Sequence, residues 1–208
     1  SKIILVIAAI STTLYLMILG IYALPSADDF GFAAMVRSNG ICHLVKTMYM
    51  TWQPRYSCFF INGFLFKFFG YADSLCLHTL LQLIMGYIST YLLMSRAIPF
   101  KGKLELIATT MLFVNIGLMS MLEIGTLYWL CTSNYIHAIW FTILLIYFIF
   151  YARQKYIQII GMIVCSIYLG GCAENYTPLV GVALFAILMM RWYLNNFTGL
   201  FNNRKNIY

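Results

Sequence analysis

"KIILVIAAISTTLYLMILGIYAL", residues 2–24, carries one charge, on its first residue, and is otherwise almost wholly apolar. A helix crosses the hydrocarbon of a bilayer in about 20 apolar residues, so this run is long enough to span. It is too long for the core of a signal peptide and no cleavage pattern follows it, which reads as a retained anchor. The rest of the chain agrees. Hydrophobic residues make up 62% of the 208 residues and charged residues 9%, where an ordinary globular chain holds about a quarter charged. Lipid is the solvent that such a composition requires.

Working outward from that anchor, the apolar pattern predicts an all-α polytopic membrane protein with about six spans, residues 3–24, 75–95, 104–122, 136–152, 156–172 and 178–194. The whole chain, 1–208, reads as one transmembrane domain: a first span to residue 24, a long amphipathic outer connection over 25–74, and the remaining spans from 75 onward. With Lys2 in the cytoplasm, the short basic connections (Arg96, Lys101 and Lys103; Arg153 and Lys155; Arg191, Arg204 and Lys205) all fall on that same side, as the positive-inside rule requires. Asp28, Asp29, Asp73, Glu123 and Glu174 sort to the opposite side, and only Glu105 lies inside. The net charge of +7 therefore describes orientation. No cluster of basic residues with interleaved aromatics offers a nucleic-acid surface.

The outer connection holds two amphipathic pieces. In "GICHLVKTMYMTW", residues 40–52, Ile41, Leu44, Val45, Met48 and Trp52 repeat at helical spacing. "YSCFFINGFLFKFFG", residues 56–70, is aromatic-rich and interrupted by Asn62, Gly63 and Lys67, which suits a segment lying in the interface. The six cysteines show no metal-ligand spacing and read as small apolar side chains; a disulfide between Cys42 and Cys58 is left open by the sequence.

Four polar clusters fall on the outer side. "PSADDF", residues 25–30, sets two of the chain's six acidic residues side by side. Ser26 and Asp29 have the spacing of a capping box, which occupies one carboxylate and leaves the other for chemistry; mutual repulsion raises one member of such a pair toward the range of a general base. "TWQPRYS", residues 51–57, breaks a helix at Pro54 and presents Arg55 between Trp52 and Tyr56. That arginine is either a snorkelling residue in an aromatic belt or a grip for phosphate. "LEIGTLYWLCTSNYIHAIW", residues 122–140, places Tyr128, Trp129, Ser133, Asn134 and Tyr135 together, rings beside hydroxyls and amides, as a sugar face needs. A metal role for His137 finds no paired spacing with His43 or His78. "GGCAENYTP", residues 170–178, reads as a helix-to-helix turn that contains Glu174 and Asn175.

In this order, the motifs resemble those of GT-C-type glycosyltransferases, and more narrowly a family of bacterial membrane proteins with DDF, W-x-x-R, N-Y and E-N elements. Asp28, Asp29 and Phe30 match the first, Trp52 and Arg55 the second, Asn134 and Tyr135 the third, and Glu174 and Asn175 the last. In the third element Tyr128 stands where Trp is usual, Cys131 and Thr132 replace Gly and Ser, and His137 replaces the final Trp. The resemblance implies an enzyme of the bacterial cytoplasmic membrane, its site facing the periplasm or exterior. That enzyme would move a sugar from a polyprenyl-phosphate donor to an acceptor glycan or lipid, and these residues would form the N-terminal part of a longer protein. Asp28 or Asp29 would be the catalytic base. Arg55, Trp52, Tyr128, Trp129, Ser133, Asn134, Tyr135, Glu174 and Asn175 would bind substrate. The resemblance implies no particular cofactor, and the adjacent carboxylates suit a divalent ion such as Mg²⁺ or Mn²⁺. The alternative is a transporter or flippase with a polar outer vestibule.

Overall fold

The computed structural model describes residues 2–23, 27–120 and 134–172, and beyond them 178, 180–182, 185, 186, 188, 189 and 192. It divides into two compact units, Ser1–Glu174 and Asn175–Tyr208. In the second unit the described residues, from Pro178 to Trp192, are helical. The first unit holds α1 (Lys2–Ile21), α2 (Ala27–Asn39), α3 (Ile41–Thr51), α4 (Tyr56–Ala97), α5 (Lys103–Met119), α6 (Asn134–Phe150) and α7 (Lys155–Gly170). Among the described residues there is no strand, so the all-α expectation holds.

The long connection does not fold as a loop. Residues 27–70 supply α2, α3 and the first half of α4. The interruption expected at Asn62 and Gly63 is absent, because both face inward and are buried: a Cβ on Gly63 would stand 3.0 Å from the Ile41 side chain and 3.3 Å from Leu44. The α4 helix bends instead at Gly70 (φ 72°, ψ −166°), a backbone conformation only glycine adopts without strain, and the Ser74 hydroxyl takes up the carbonyl that this bend releases. Gly40, at φ 86°, likewise separates α2 from α3. Phe32, Val36, Leu44, Met48, Phe59, Leu65 and Phe66 form the apolar core of this three-helix cap.

Contacts between the longer helices fix their directions. Thr13 bonds Tyr87 at 2.8 Å and Gly20 lies against Thr79, so α1 runs antiparallel to the second half of α4. Gly86 faces Val114 and Met94 faces Thr110, which sets α5 antiparallel to α4. His78 meets His137, and Gln82 meets Trp140, so α6 runs parallel to α4. Phe141 stacks on Tyr168 and Gln158 donates to the Ile149 carbonyl, so α7 returns antiparallel. The start of α1, the end of α4, the start of α5 and the α6–α7 link therefore share one end of the bundle. Lys2, Arg96, Lys101, Lys103, Arg153 and Lys155 all lie there. Asp28, Asp29 and Asp73 lie at the other end, beneath or within the cap. Among the described residues the charges thus sort by bundle end as the sequence reading has them; Glu123, Glu174, Arg191, Arg204 and Lys205 lie outside the described residues.

Two helical stretches are long and apolar enough to cross a membrane, Lys2–Ile21 and Asp73–Ala97; Tyr135–Phe150 and Lys155–Gly170 are apolar but shorter. Large apolar side chains point outward on α1 (Ile3, Ile7, Leu14, Ile18), α5 (Phe113, Ile116) and α7 (Ile160, Ile163, Ile167). Polar side chains point inward. Asn115, fully buried, donates to the Ala9 carbonyl (3.2 Å) and to the Thr12 and Thr13 hydroxyls (2.8 and 2.9 Å), and accepts from Tyr87 at 2.7 Å. This closed network joins α1, α4 and α5. Asn115→Leu removes the four bonds that tie α5 to α1 and α4, leaving the Thr12 and Thr13 hydroxyls with their bonds to the α1 backbone and to Tyr87. It is expected to cost about 1–3 kcal/mol, read from denaturant unfolding of the detergent-solubilised chain by circular dichroism.

Candidate functional site

The site is built at the acidic end, where the starts of α2, α4 and α6 and the ends of α3 and α7 lie. Chain direction changes between α3 and α4: Trp52 and Gln53 both donate their backbone N–H to the Met48 carbonyl (3.0 and 2.9 Å), and Arg55 closes back on Gln53 at 2.8 Å. Pro54, which offers no N–H and disfavours a helical residue before it, makes this the natural place for the break. Arg55 caps α4 with φ −92° and ψ 55°. Its side chain, half-buried, reaches the Tyr135 hydroxyl on the first turn of α6 at 3.2 Å, with the guanidinium carbon 5.5 Å from that ring's centre. Eighty residues of sequence separate these two groups. Arg55 and Tyr135, two of the residues singled out in the sequence, are thus direct neighbours.

The acidic pair opens α2, with Asp28 and Asp29 in its first turn, where the helix dipole and free N–H groups favour negative charge. Asp29 is fully buried and Asp28 half-buried. Phe32 follows one turn later on the same face. Its ring meets Phe59 edge-on at 5.3 Å and tilts over Trp52 at 6.0 Å, while Trp52 and Phe59 lie 6.4 Å apart. This aromatic triangle fastens the carboxylate-bearing turn of α2 to the turn that carries Arg55. Trp52 keeps 53% of its surface exposed, which leaves a ring face open for stacking.

The end of α7 is fastened to the same place. Ser57 donates its N–H to the Gly171 carbonyl at 3.1 Å, and the Tyr56 hydroxyl bonds the Ile167 carbonyl at 2.9 Å. Gly171 makes the approach feasible: a Cβ there would collide with the Tyr56 ring and lie 2.5 Å from the Ser57 hydroxyl. Gly171, read from the sequence as part of a helix-to-helix turn, is therefore a close-packing contact. Glu174 and Asn175 follow Gly171 by three and four positions in the sequence. Those two residues lie outside the described residues, as do Ser26, Tyr128, Trp129 and Ser133; of Asn134, the backbone that begins α6 is described.

Beside Tyr56 an apolar groove of about 470 Å³ opens between α3, α4, α6 and α7, lined by Val45, Phe60, Ile61, Phe141, Val164 and Ile167. Cys42 is an exposed free thiol and Cys58 a buried one, so the two do not form the disulfide that the sequence left open. Among the described residues, no group of three or more His, Cys, Asp or Glu side chains converges as metal ligands would. Sequence spacing did miss one contact: the imidazoles of His78 and His137, both buried, lie 5.1 Å apart. The signal available was the repeat of His78 with Gln82 and of His137 with Trp140 inside otherwise apolar runs.

No protein-family model, curated protein or solved structure matches this chain.

The clamp yields a paired test. Gly171→Ala forces the start of α4 away from α7 and is expected to destabilise by about 1–3 kcal/mol. Gly170→Ala meets only the Tyr56 hydroxyl, at 3.4 Å, and is expected to unfold near the wild-type midpoint. Thermal unfolding of both in detergent separates them; equal losses would mean that the Ser57–Gly171 approach is not tight.

Proposed function

We propose that this chain is an integral membrane protein that transfers a sugar from a polyprenyl phosphate to an acceptor hydroxyl, in the manner of GT-C-type enzymes. The observation that carries the reading is the pairing of Arg55 with Tyr135 at the acidic end of the bundle, beside an apolar groove and tied through the Phe32–Trp52–Phe59 triangle to Asp28 and Asp29. A cation at the head of a greasy groove suits a lipid phosphate, and carboxylates nearby suit the acceptor.

The membrane part of the proposal rests on outward apolar faces and on length. A 20-residue helix such as α1 rises about 30 Å, the thickness of the hydrocarbon. The basic end of the bundle then faces the cytoplasm, and the cap with its site faces outward.

The reaction follows from where charge develops. The acceptor oxygen attacks the anomeric carbon as its proton passes to a carboxylate, and the bond from that carbon to the phosphate oxygen breaks with its electron pair leaving on phosphate. The departing phosphate is already anionic, so it needs a fixed cation more than a proton; Arg55 serves, with its guanidinium oriented by Tyr135. Asp28 is the carboxylate that a substrate reaches, since it is half-buried, while fully buried Asp29 orients and polarises that turn. The exposed face of Trp52 stacks on the sugar ring. A divalent ion would have these two carboxylates as its protein ligands.

One observation favours transport instead: His78 and His137 are ionisable groups within helices, where transporters carry coupling groups. The assay that decides is transfer of labelled sugar from a polyprenyl-phosphate sugar in proteoliposomes, run beside solute uptake. Asp28→Asn is expected to lower transfer by about 10²–10⁴-fold with membrane insertion intact, and Arg55→Lys to lower it with the fold retained. Full transfer in both Asp28→Asn and Asp29→Asn would remove the base, and uptake without transfer would favour the transporter.

A further inference from the structure

Toward the basic end of the bundle, away from Arg55 and Tyr135, an apolar groove of about 300 Å³ runs between α4 and α5. Its lining includes Tyr87, Ile88, Tyr91, Leu92, Ile107 and Met111. Both walls end in cations. Arg96 lies one helical turn beyond Leu92 on α4, and Lys103 one turn before Ile107 on α5, so each continues the row of side chains that builds its wall. Lys101 sits in the link between the two helices, and all three cations are exposed.

The charge at this mouth is not balanced within the chain. Glu105 is the one acid at this end. It falls on the opposite side of α5 from Ile107 at helical spacing, and its Oε2 is buried without a hydrogen bond. Lys103 opens α5, where the positive end of the helix dipole adds to a cation instead of offsetting it. The mouth therefore suits an anion and the groove suits hydrocarbon. Length points to one molecule that carries both. The nine residues from Tyr87 to Arg96 rise about 14 Å, close to the roughly 15 Å of hydrocarbon that one leaflet contributes. A chain lying along the groove sets its headgroup level with Arg96 and Lys103. A soluble anion would satisfy the mouth and leave the groove empty.

We propose that the α4–α5 groove, with Arg96, Lys101 and Lys103 at its rim, binds one anionic glycerophospholipid of the cytoplasmic leaflet. An acyl chain occupies the groove, and the headgroup phosphate bridges the two walls. The site rests on the membrane reading above and is independent of sugar transfer. The other basic link supplies the contrast. Arg153 and Lys155 are also exposed, but Lys155 falls on the opposite side of α7 from Ile157 and Ile160, which line the comparable groove between α6 and α7.

The test is native mass spectrometry of the full chain in detergent, titrated with phosphatidylglycerol and with phosphatidylcholine of the same acyl chains. Each cation near an anionic headgroup contributes about a fivefold factor, so phosphatidylglycerol is expected to bind on the order of 10–100-fold more tightly. On the same scale, Lys101→Gln combined with Lys103→Gln should weaken it about 25-fold. Arg153→Gln combined with Lys155→Gln removes the same charge and should leave that affinity unchanged. Ile107→Trp fills the groove from a side chain already 44% exposed and keeps every cation; it should weaken both lipids, with circular dichroism showing the fold retained. Equal affinity for the two lipids, equal losses in the two charge pairs, or no loss in Ile107→Trp overturns the site. A dimer that Ile107→Trp dissolves assigns the groove to a second copy and overturns it as well. Flotation with liposomes of each lipid tells this failure from that of the membrane reading. A chain that floats but shows none of these differences loses the lipid site alone; a chain that floats with neither loses the membrane reading and the site with it.

Discussion

A polar side chain inside this bundle has no water to turn to, and most of the architecture follows from that. The outer faces of α1, α5 and α7 are rich in Ile, Leu and Phe, so inward hydroxyls and amides bond either their own helix, as Thr79 and Ser89 do, or a partner on another helix. Asn115 does so by drawing on α1 and α4 at once. Trp140, Gln82 and His78 do so across the α4–α6 contact. Such bonds are directional where hydrocarbon packing is not. They select one rotation of each helix, and the glycines at 20, 86 and 161, each facing a side chain too close for a Cβ, then let the selected faces approach.

The same constraint explains what was legible in the sequence. The third, fourth and fifth runs, read as 104–122, 136–152 and 156–172, correspond to α5 (Lys103–Met119), α6 (Asn134–Phe150) and α7 (Lys155–Gly170). Long apolar stretches bounded by charge or glycine leave little freedom about where a helix lies. Residues 25–74 were harder, because their helices bury against one another and so carry polar residues on faces that the apolar average hides. Asn62 and Gly63 read as interruptions for this reason: a small residue at a helix crossing and a small residue in a loop look alike until the partner helix is known.

The site divides in the same way. Arg55 stood out because a proline break and flanking aromatics mark a terminus, and the acidic doublet because acids are scarce. Their relation to Tyr135 was suggested by a shared side of the bundle but not by any spacing. The His78–His137 contact was invisible, since each residue has a local pattern of its own and the pairing exists only once α4 and α6 run parallel. Sequence periodicity reports the face a residue occupies; it carries no information on which remote face it meets.

This division bears on why the cap exists. A bundle of long helices alone would present Tyr135 and Gly171 at bare helix ends, with nothing to aim a charged group at them. Threading α2, α3 and the first half of α4 over that end, with bends at Gly40 and Gly70 and a turn at residues 52–55, brings a cation and two carboxylates there while keeping the long helices themselves nearly free of charge. The cost of burying Asp29 is borne at a helix N-terminus, the backbone position that best tolerates a carboxylate. Charge is thus concentrated at the cap and kept off the long helices. That separation follows from the fold itself.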